Sequence, residues 1–385
     1  AELAQGSASR ARALAREAGD LRLEGAALHA LVAVLLEREE GAAAVRAAEE
    51  ALELFCSLGD RSGEAQSLHR LAQAQLCAKD FRTALRLAQE AQKLARELGS
   101  QRRALAEILL QGEVMAAQRR HREALKLATE SLELARELGF ARGEAAALGA
   151  VVRAHLAGGK ADQAVKAAKA GLERLQASGD QGGRIAALDA LSDAYGAKGQ
   201  RREALAASEE ALLLCRDLGL RKKEAILLLN VSLAQAKAEQ ADEGSRGLFK
   251  ALEIFRAVGS GRGMATALLG LASLHLSQGL LELALEEAQD ARALLLQAGG
   301  GGRLAPALAM VCSAHRAAGD YDEAAAAALA GKAICQEAGD ELGEAEAWLK
   351  VADLRAENGE HERALVAARQ AQLIAQDLTD IGSGM

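Results

Sequence analysis

The sequence is short of almost everything that interrupts or specialises a helix. In 385 residues there is one proline, and the aromatics amount to one tryptophan, two tyrosines and five phenylalanines. So few aromatic and β-branched side chains argue against sandwiches and barrels, and abundant Ala, Leu, Glu and Arg favour helix. No apolar run approaches the roughly 20 residues that a membrane span needs. The excess of positive charge that engages phosphate is also missing. The net charge is −7 at pH 7, which weighs against nucleic acid as a partner. The opening stretch from Ala1 to Ala18 is charged and amphipathic, unlike a signal peptide. Five cysteines (Cys56, Cys77, Cys215, Cys312 and Cys335) are odd in number and show no CxxC spacing. They read as small apolar fillers in a reducing, intracellular compartment, the cytoplasm in first place. Position 1 is Ala, so a processed chain or a segment of a longer one is expected.

What is plentiful is glycine, with 38 in the chain, and its spacing is regular. Gly19, Gly59, Gly99, Gly139, Gly179, Gly219, Gly259, Gly299 and Gly339 recur at every fortieth position without a slip. With glycine at about one residue in ten, that coincidence has odds on the order of one in a billion. The period divides the chain into a leading helix of a truncated unit (1–19), nine units of helix pairs (20–379) and a tail (380–385). The units end at Gly59, Gly99, Gly139, Gly179, Gly219, Gly259, Gly299, Gly339 and Thr379.

Within each unit, Leu68, Leu71 and Ala72, or Leu188, Leu191 and Ala194, mark one face of a first helix. Asp20, Asp60, Asp180, Asp340, Ser100 and Ser260 stand where an N-cap belongs. Glu24, Glu64, Glu144, Glu224 and Glu344 follow in the first turn, where the helix dipole favours negative charge. Gly159, Gly199, Gly279, Gly319 and Gly359 suit the left-handed position that stops the first helix. Two small-residue registers in the second helix mark helix contacts. One runs Ala44, Ala84, Ala124, Ala164, Ala204, Gly244, Ala284, Ala324 and Ala364. The other runs Ala51, Ala91, Ser131, Gly171, Ala211, Ala251, Ala291, Gly331 and Ala371. Ala204 is thus expected in a contact and Ala207 at the surface. Gly244, Gly247 and the run Gly299–Gly302 are expected to be weak joints.

The pattern Leu188-x2-Leu191-x3-Tyr195 followed by Ala204, and Trp348-x2-Val351-Ala352 followed by Ala364, resembles the tetratricopeptide repeat. The long period is similar to that of the long-repeat arrays of Pins/LGN-type polarity scaffolds, kinesin light chains and bacterial regulators. The resemblance implies an all-α fold, a right-handed α-α superhelical solenoid. It also implies a scaffold or adaptor that takes a partner peptide or helix in a concave groove lined by the first helices. Projected onto this chain, the groove comprises His29, Gln66, His69, Arg70, Gln73, Glu113, Arg153, Asp189, Asp193, Asn230, Leu233, Leu269, Ser273, Met310, Arg316, Lys350 and Asp353. Leu109, Leu110, Ile226, Leu229, Leu233, Leu269, Leu276 and Met310 would give its middle an apolar strip. The alternative is a permanent subunit of a large assembly that uses its edges and convex face.

No chemistry competes with this reading. The seven histidines fall in repeat registers, His155 with His275 and His315, His29 with His69, and His121 with His361. Equivalent positions lie about one repeat apart, too far to share a metal. The tetraglycine lacks the strand and the GK[ST] of a phosphate loop, because Arg303-Leu304-Ala305-Pro306 opens a helix instead. No enzyme, cofactor or metal is expected. The final helix, around 363–378, repeats an apolar face through Ile374 with no polar rewriting, so more chain or a neighbouring protein is expected to cover it.

Overall fold

The computed structural model describes residues 2–38, 40–237, 240–297, 304–337 and 340–383, and nothing but helices and tight turns occurs among them. The chain divides into two compact units, Ala1–Leu220 and Arg221–Met385.

The first unit holds α1 (Glu2–Glu17), α2 (Leu21–Glu37), α3 (Gly41–Ser57), α4 (Arg61–Cys77), α5 (Phe81–Glu97), α6 (Gln101–Ala117), α7 (His121–Glu137), α8 (Ala141–Ala157), α9 (Ala161–Ala177), α10 (Gln181–Ala197) and α11 (Arg201–Asp217). The second holds α12 (Arg221–Lys237), α13 (Ala241–Val258), α14 (Gly261–Ser277), α15 (Leu281–Gln297), α16 (Leu304–Ala318), α17 (Tyr321–Glu337), α18 (Glu341–Glu357) and α19 (His361–Ser383). Even-numbered helices are the first of each pair. Inside each unit a helix packs on the next along the chain, and first helices also pack on one another, as α8 does on α10 and α14 on α16.

The glycine phase is a backbone requirement. Gly59, Gly99, Gly139, Gly179, Gly219 and Gly259 all have φ between +57° and +74°, and so close the second helices in the left-handed region, which costs L-residues energy and glycine none. Gly159, Gly199, Gly279, Gly319 and Gly359 do the same for first helices. Gly299–Gly302 and Gly339 lie outside the described residues. Where glycine is missing the turn persists. Lys79 and Arg119 take φ of 64° and 59° at the same point of the repeat.

Asp20, Asp60, Ser260 and Asp340 accept hydrogen bonds from backbone amides of the turn that follows. Asp80 caps α5 in the same way. Ser100 and Asp180 depart from expectation. They make no side-chain cap bond, and each helix starts on their backbone carbonyls alone. The first-turn glutamates do more than meet a dipole. Glu24, Glu144 and Glu224 are buried. Arg16 Nε lies 3.0 Å from Glu24, and Arg136 Nε and Arg174 Nε lie 3.0 and 2.7 Å from Glu144. Arginines at the ends of the second helices before and after α8 thus grip one carboxylate and link three helices.

Most positions of the small-residue registers are helix contacts, Gly331 excepted. Ala44, Ala84, Ala164, Ala284 and Ala324 are fully buried, as are Ala51, Ala211, Ala251 and Ala291. One pair is reversed. Ala204 is half-buried, with its carbonyl accepting from Ser192 Oγ of α10 at 2.9 Å, and Ala207 is buried, as are Ala47, Leu87 and Ala367 at the same point of their repeats. Gly244 and Gly247 are not loose either. Both lie inside α13 and are buried, and a Cβ on Gly244 would come within 2.9 Å of the backbone of α12. They permit close approach. At the far end α19 continues through Ser383, past the boundary expected at Thr379, since Thr379 supplies no left-handed stop where the other units have glycine.

Candidate partner-binding face

In the first unit the residues expected to line the groove lie on one face of successive first helices, with Gln66, His69, Arg70 and Gln73 on α4, Glu113 on α6, Arg153 on α8, and Asp189 and Asp193 on α10. None of them is buried. Gln73, Glu113, Arg153 and Asp193 share a single register, so the repeat sets them as a ladder across four helices. Arg70 Nη1 donates to Gln73 Oε1 at 3.1 Å.

Glu113 and Asp193 are both open to solvent, yet the protein around them pushes each carboxyl above its ordinary range by reducing hydration of the anion,. Arg153 opposes that shift at both, and His69 also opposes it at Glu113. The positive charge of Arg153 thus acts on both carboxylates from a distance, and among the described residues it forms no direct ion pair with either.

Two features of this face differ from expectation. His29 turns inward. It is 6% exposed, its Nε2 lies 2.8 Å from Ser67 Oγ, and its ring stacks on Phe55 at 5.2 Å. Burial and the nearby Arg70 lower its pKa to about 4. In the next repeat His69 Nδ1 lies 2.8 Å from Glu107 Oε1, and Glu107 is 4% exposed. Sequence reasoning passed over Glu107. The signal was available, since a carboxylate stands there in the register of Ser67, Ala147 and Ala187.

The second unit places Asn230 and Leu233 on α12, Leu269 and Ser273 on α14, Met310 and Arg316 on α16, and Lys350 and Asp353 on α18. Leu233, Leu269 and Met310 are half-buried and the others are exposed. Arg316 Nε donates to Glu357 Oε2 at 2.9 Å. The expected apolar strip is not continuous. Leu110 and Leu229 are 3% and 6% exposed and belong to the core, Leu109 and Leu276 are half-buried, and Ile226 is exposed at 42%. Leucines at the edge of the face bury more apolar area by folding under a neighbouring helix than by lying in water.

No protein-family model matches the chain, and no curated protein matches it. Solved structures do. A signal-transduction ATPase with numerous domains and a tetratricopeptide repeat sensor, from Pyrococcus horikoshii, superposes with a TM-score of 0.58 at 15% identity, covering 87% of this chain and 54% of that one. The chain thus spans about half the length of that protein. A Rap protein complexed with Competence and Sporulation Factor gives 0.53 at 13% identity over 93% of this chain and 99% of that one. The Rap conjugation gene regulator of plasmid pLS20, in complex with the Phr* peptide, gives 0.50 at 15% identity over 83% and 77%. The fold is the tetratricopeptide-repeat solenoid.

Elsewhere in this tetratricopeptide array, polar chemistry is spent locally. His275 Nδ1 meets Glu287 Oε2 at 2.8 Å, and His315 Nδ1 meets Asp320 Oδ2 at 3.5 Å. None of the five cysteines forms a disulfide among the described residues. Cys215 and Cys312 are buried, Cys77 and Cys335 half-buried, and Cys56 exposed. Cys56 is therefore not a core filler, because the Phe55 ring beside it fills the core. No described helix is long and apolar enough to cross a membrane.

Proposed function

We propose that this chain holds segments of other proteins, and that the first-helix face of α4, α6, α8 and α10 receives one such segment as a peptide or helix. The observation that carries this reading is the ladder Gln73, Glu113, Arg153 and Asp193. It is unburied and in register, and it sets one guanidinium on the first helix between those that carry the two carboxylates. Such a row has acceptor capacity left for the N–H groups of a bound chain, and a donor for its carbonyls. Asn230, Leu233, Leu269, Ser273, Met310, Arg316, Lys350 and Asp353 extend the same use to the second unit. The Rap structure carrying the Phr* peptide is consistent with a peptide on this fold. The role is one of binding, with no catalytic step.

The test is selection of peptides from a displayed random library, followed by calorimetry. Arg153→Ala and the pair Glu113→Gln with Asp193→Asn should each weaken a selected peptide by about tenfold or more, or about 1.4 kcal/mol. Peptides that bind all variants equally would place the binding surface elsewhere.

A second reading, a permanent subunit of an assembly, draws on α19. Leu365, Val366 and Leu373 are 54%, 58% and 54% exposed. At the positions of Val366 and Leu373 other second helices carry charge, as at Arg86 and Lys126 or Lys93 and Glu133. Under this reading Val366→Glu with Leu373→Glu abolishes co-purification with an assembly. Under the first it leaves peptide binding intact.

A further inference from the structure

The second unit contains a cleft of about 300 Å³ between α16, α17 and α18, lined by Ala305, Leu308, Ala309, Cys312, Gly331 and Cys335 and floored by Gly343 and Ala347. Two other repeats carry an aromatic ring at this register, Phe55 and Phe255. Seven periods earlier in the chain, the counterparts of Ala305, Ala309, Cys335, Gly343 and Ala347 are Gly25, His29, Phe55, Gly63 and Ser67. There the Phe55 ring lies so close against Gly25 and Gly63 that a Cβ on either would overlap it, and the His29 ring stacks on it. Phe255 sits against Gly263 in the same way. In the α16–α18 repeat the phenyl has become the thiol of Cys335 and the imidazole the methyl of Ala309.

Neighbouring side chains close only the part over Gly343, where a Cβ would come within 2.9 Å of Cys335 Sγ and 2.5 Å of Asp340 Oδ2. Gly331 belongs to a register in which a Cβ on Gly171 would overlap Leu148, but a Cβ on Gly331 would meet nothing within 4 Å. Leu308, the counterpart of Leu148, stays in its own core position at 6% exposure. First helices α14 and α16 pack together, whereas α16 and α18 barely touch. The mouth of the cleft is therefore on the first-helix face, between exposed Pro306, Glu346 and Lys350. A dry apolar cavity of roughly half this size accommodates benzene.

We propose that this cleft is a receptor for one aromatic side chain of a bound protein segment, seated beside Cys335 on the side of Ala309 and Gly331. The proposal rests on the reading of the array as a holder of protein segments, and it adds where the second unit grips and by which residue type. The ring would stack against Ala309, Cys312 and Cys335, and the segment's backbone would lie over Glu346 and Lys350.

The experiment uses the full chain and its own thiols as reporters. Alkylation by iodoacetamide is followed separately at Cys312, Cys335 and exposed Cys56 by mass spectrometry. It is run with N-acetyl-phenylalaninamide and with N-acetyl-alaninamide as the control. At about ten times its dissociation constant the phenylalanine amide should slow Cys312 and Cys335 roughly tenfold, leave Cys56 unchanged, and exceed the alanine amide. Cys335→Phe restores the ring from within and should remove the protection of Cys312. Gly331→Leu fills the cleft from the α17 side and should remove the protection of Cys335 should the first variant fold poorly. Equal effects of the two amides, or protection that survives both fillings, would overturn the proposal. Displayed peptides that bind yet show no aromatic enrichment and ignore Gly331→Leu would also overturn it, while leaving the holding function standing. Protection by the amide without any peptide binder would support the cleft and count against the ladder alone.

Discussion

Glycine to alanine in the middle of a helix is ordinarily a stabilising change, by about 0.5–1 kcal/mol. In this protein its sign should depend on which glycine is replaced. Gly247 lies inside α13, where a new Cβ would overlap Ser232 Oγ and come within 3.0 Å of Ser232 Cβ. Ser232 is itself fully buried, and its hydroxyl donates to Leu228 O at 2.6 Å, so it has little room to move. Overpacking of that kind costs about 1–3 kcal/mol. Set against the helix gain, Gly247→Ala should lose roughly 0.5–2 kcal/mol. Gly331→Ala meets open space and should gain about 0.5–1 kcal/mol. Urea unfolding followed by circular dichroism, with the slope checked for constancy, reads both midpoints. Adding Ser232→Ala to Gly247→Ala removes the overlapping oxygen and should recover most of the loss, a coupling that a double-mutant cycle isolates. If both glycine variants shift the midpoint in the same direction, or if Ser232→Ala fails to relieve Gly247→Ala, the close approach of α12 and α13 has been misread.

Four further outcomes are expected. Ala164→Leu, at a fully buried contact, should cost roughly 1–3 kcal/mol, while Ala206→Leu, on the exposed side of α11, should leave the thermal midpoint nearly unchanged. Arg119→Gly should stabilise by about 1 kcal/mol in the same assay, because it removes an L-residue from the left-handed region at φ 59°,. His29 has a folded pKa near 4, below its unfolded value, so the native state binds fewer protons. Its contribution is complete above about pH 6.5 and is lost as pH falls toward 4, by up to roughly 3 kcal/mol. Between pH 7 and 5 the wild type should lose more stability than His29→Gln in parallel urea titrations. Glu144→Ala should cost about 1–3 kcal/mol, because Arg136 and Arg174 lose their common partner. Arg174→Ala should cost less, since Arg136 continues to neutralise the buried carboxylate.

A strict repeat with glycine at one phase makes the helix pairs, their turns and their contact faces legible, because the left-handed turn and the small contact residue are local demands of the backbone. What escaped sequence reading lies at boundaries. Lys79 and Arg119 make the same turn as Gly159, but nothing in their chemistry announces it. Leu110 and Leu229 occupy edge positions where a long side chain can lie either on the face or beneath a neighbour, and packing decides. His29 goes inside because Phe55 and Ser67 offer it a stacking partner and a hydrogen bond, and both come from other helices. Gly244 and Gly247 read as weakness when only helix propensity is weighed. Seen with α12 beside them, they are clearance. The ladder from Gln73 to Asp193 was legible as a register. The action of Arg153 on both carboxylates was not, because it depends on distances between helices that are a whole repeat apart in sequence.

The left-handed glycines also bear on how such a chain can change in length. Each closes a second helix at the same phase, so a cut made at any two of them removes whole units and rejoins helices already in step. A deletion of one full period keeps every remaining hairpin closed, whereas one that falls a single residue short turns each later contact face out of register with its neighbour. Length in this molecule is therefore counted in whole repeats, and recombination between like glycines is a route by which it can grow or shrink while each step still folds.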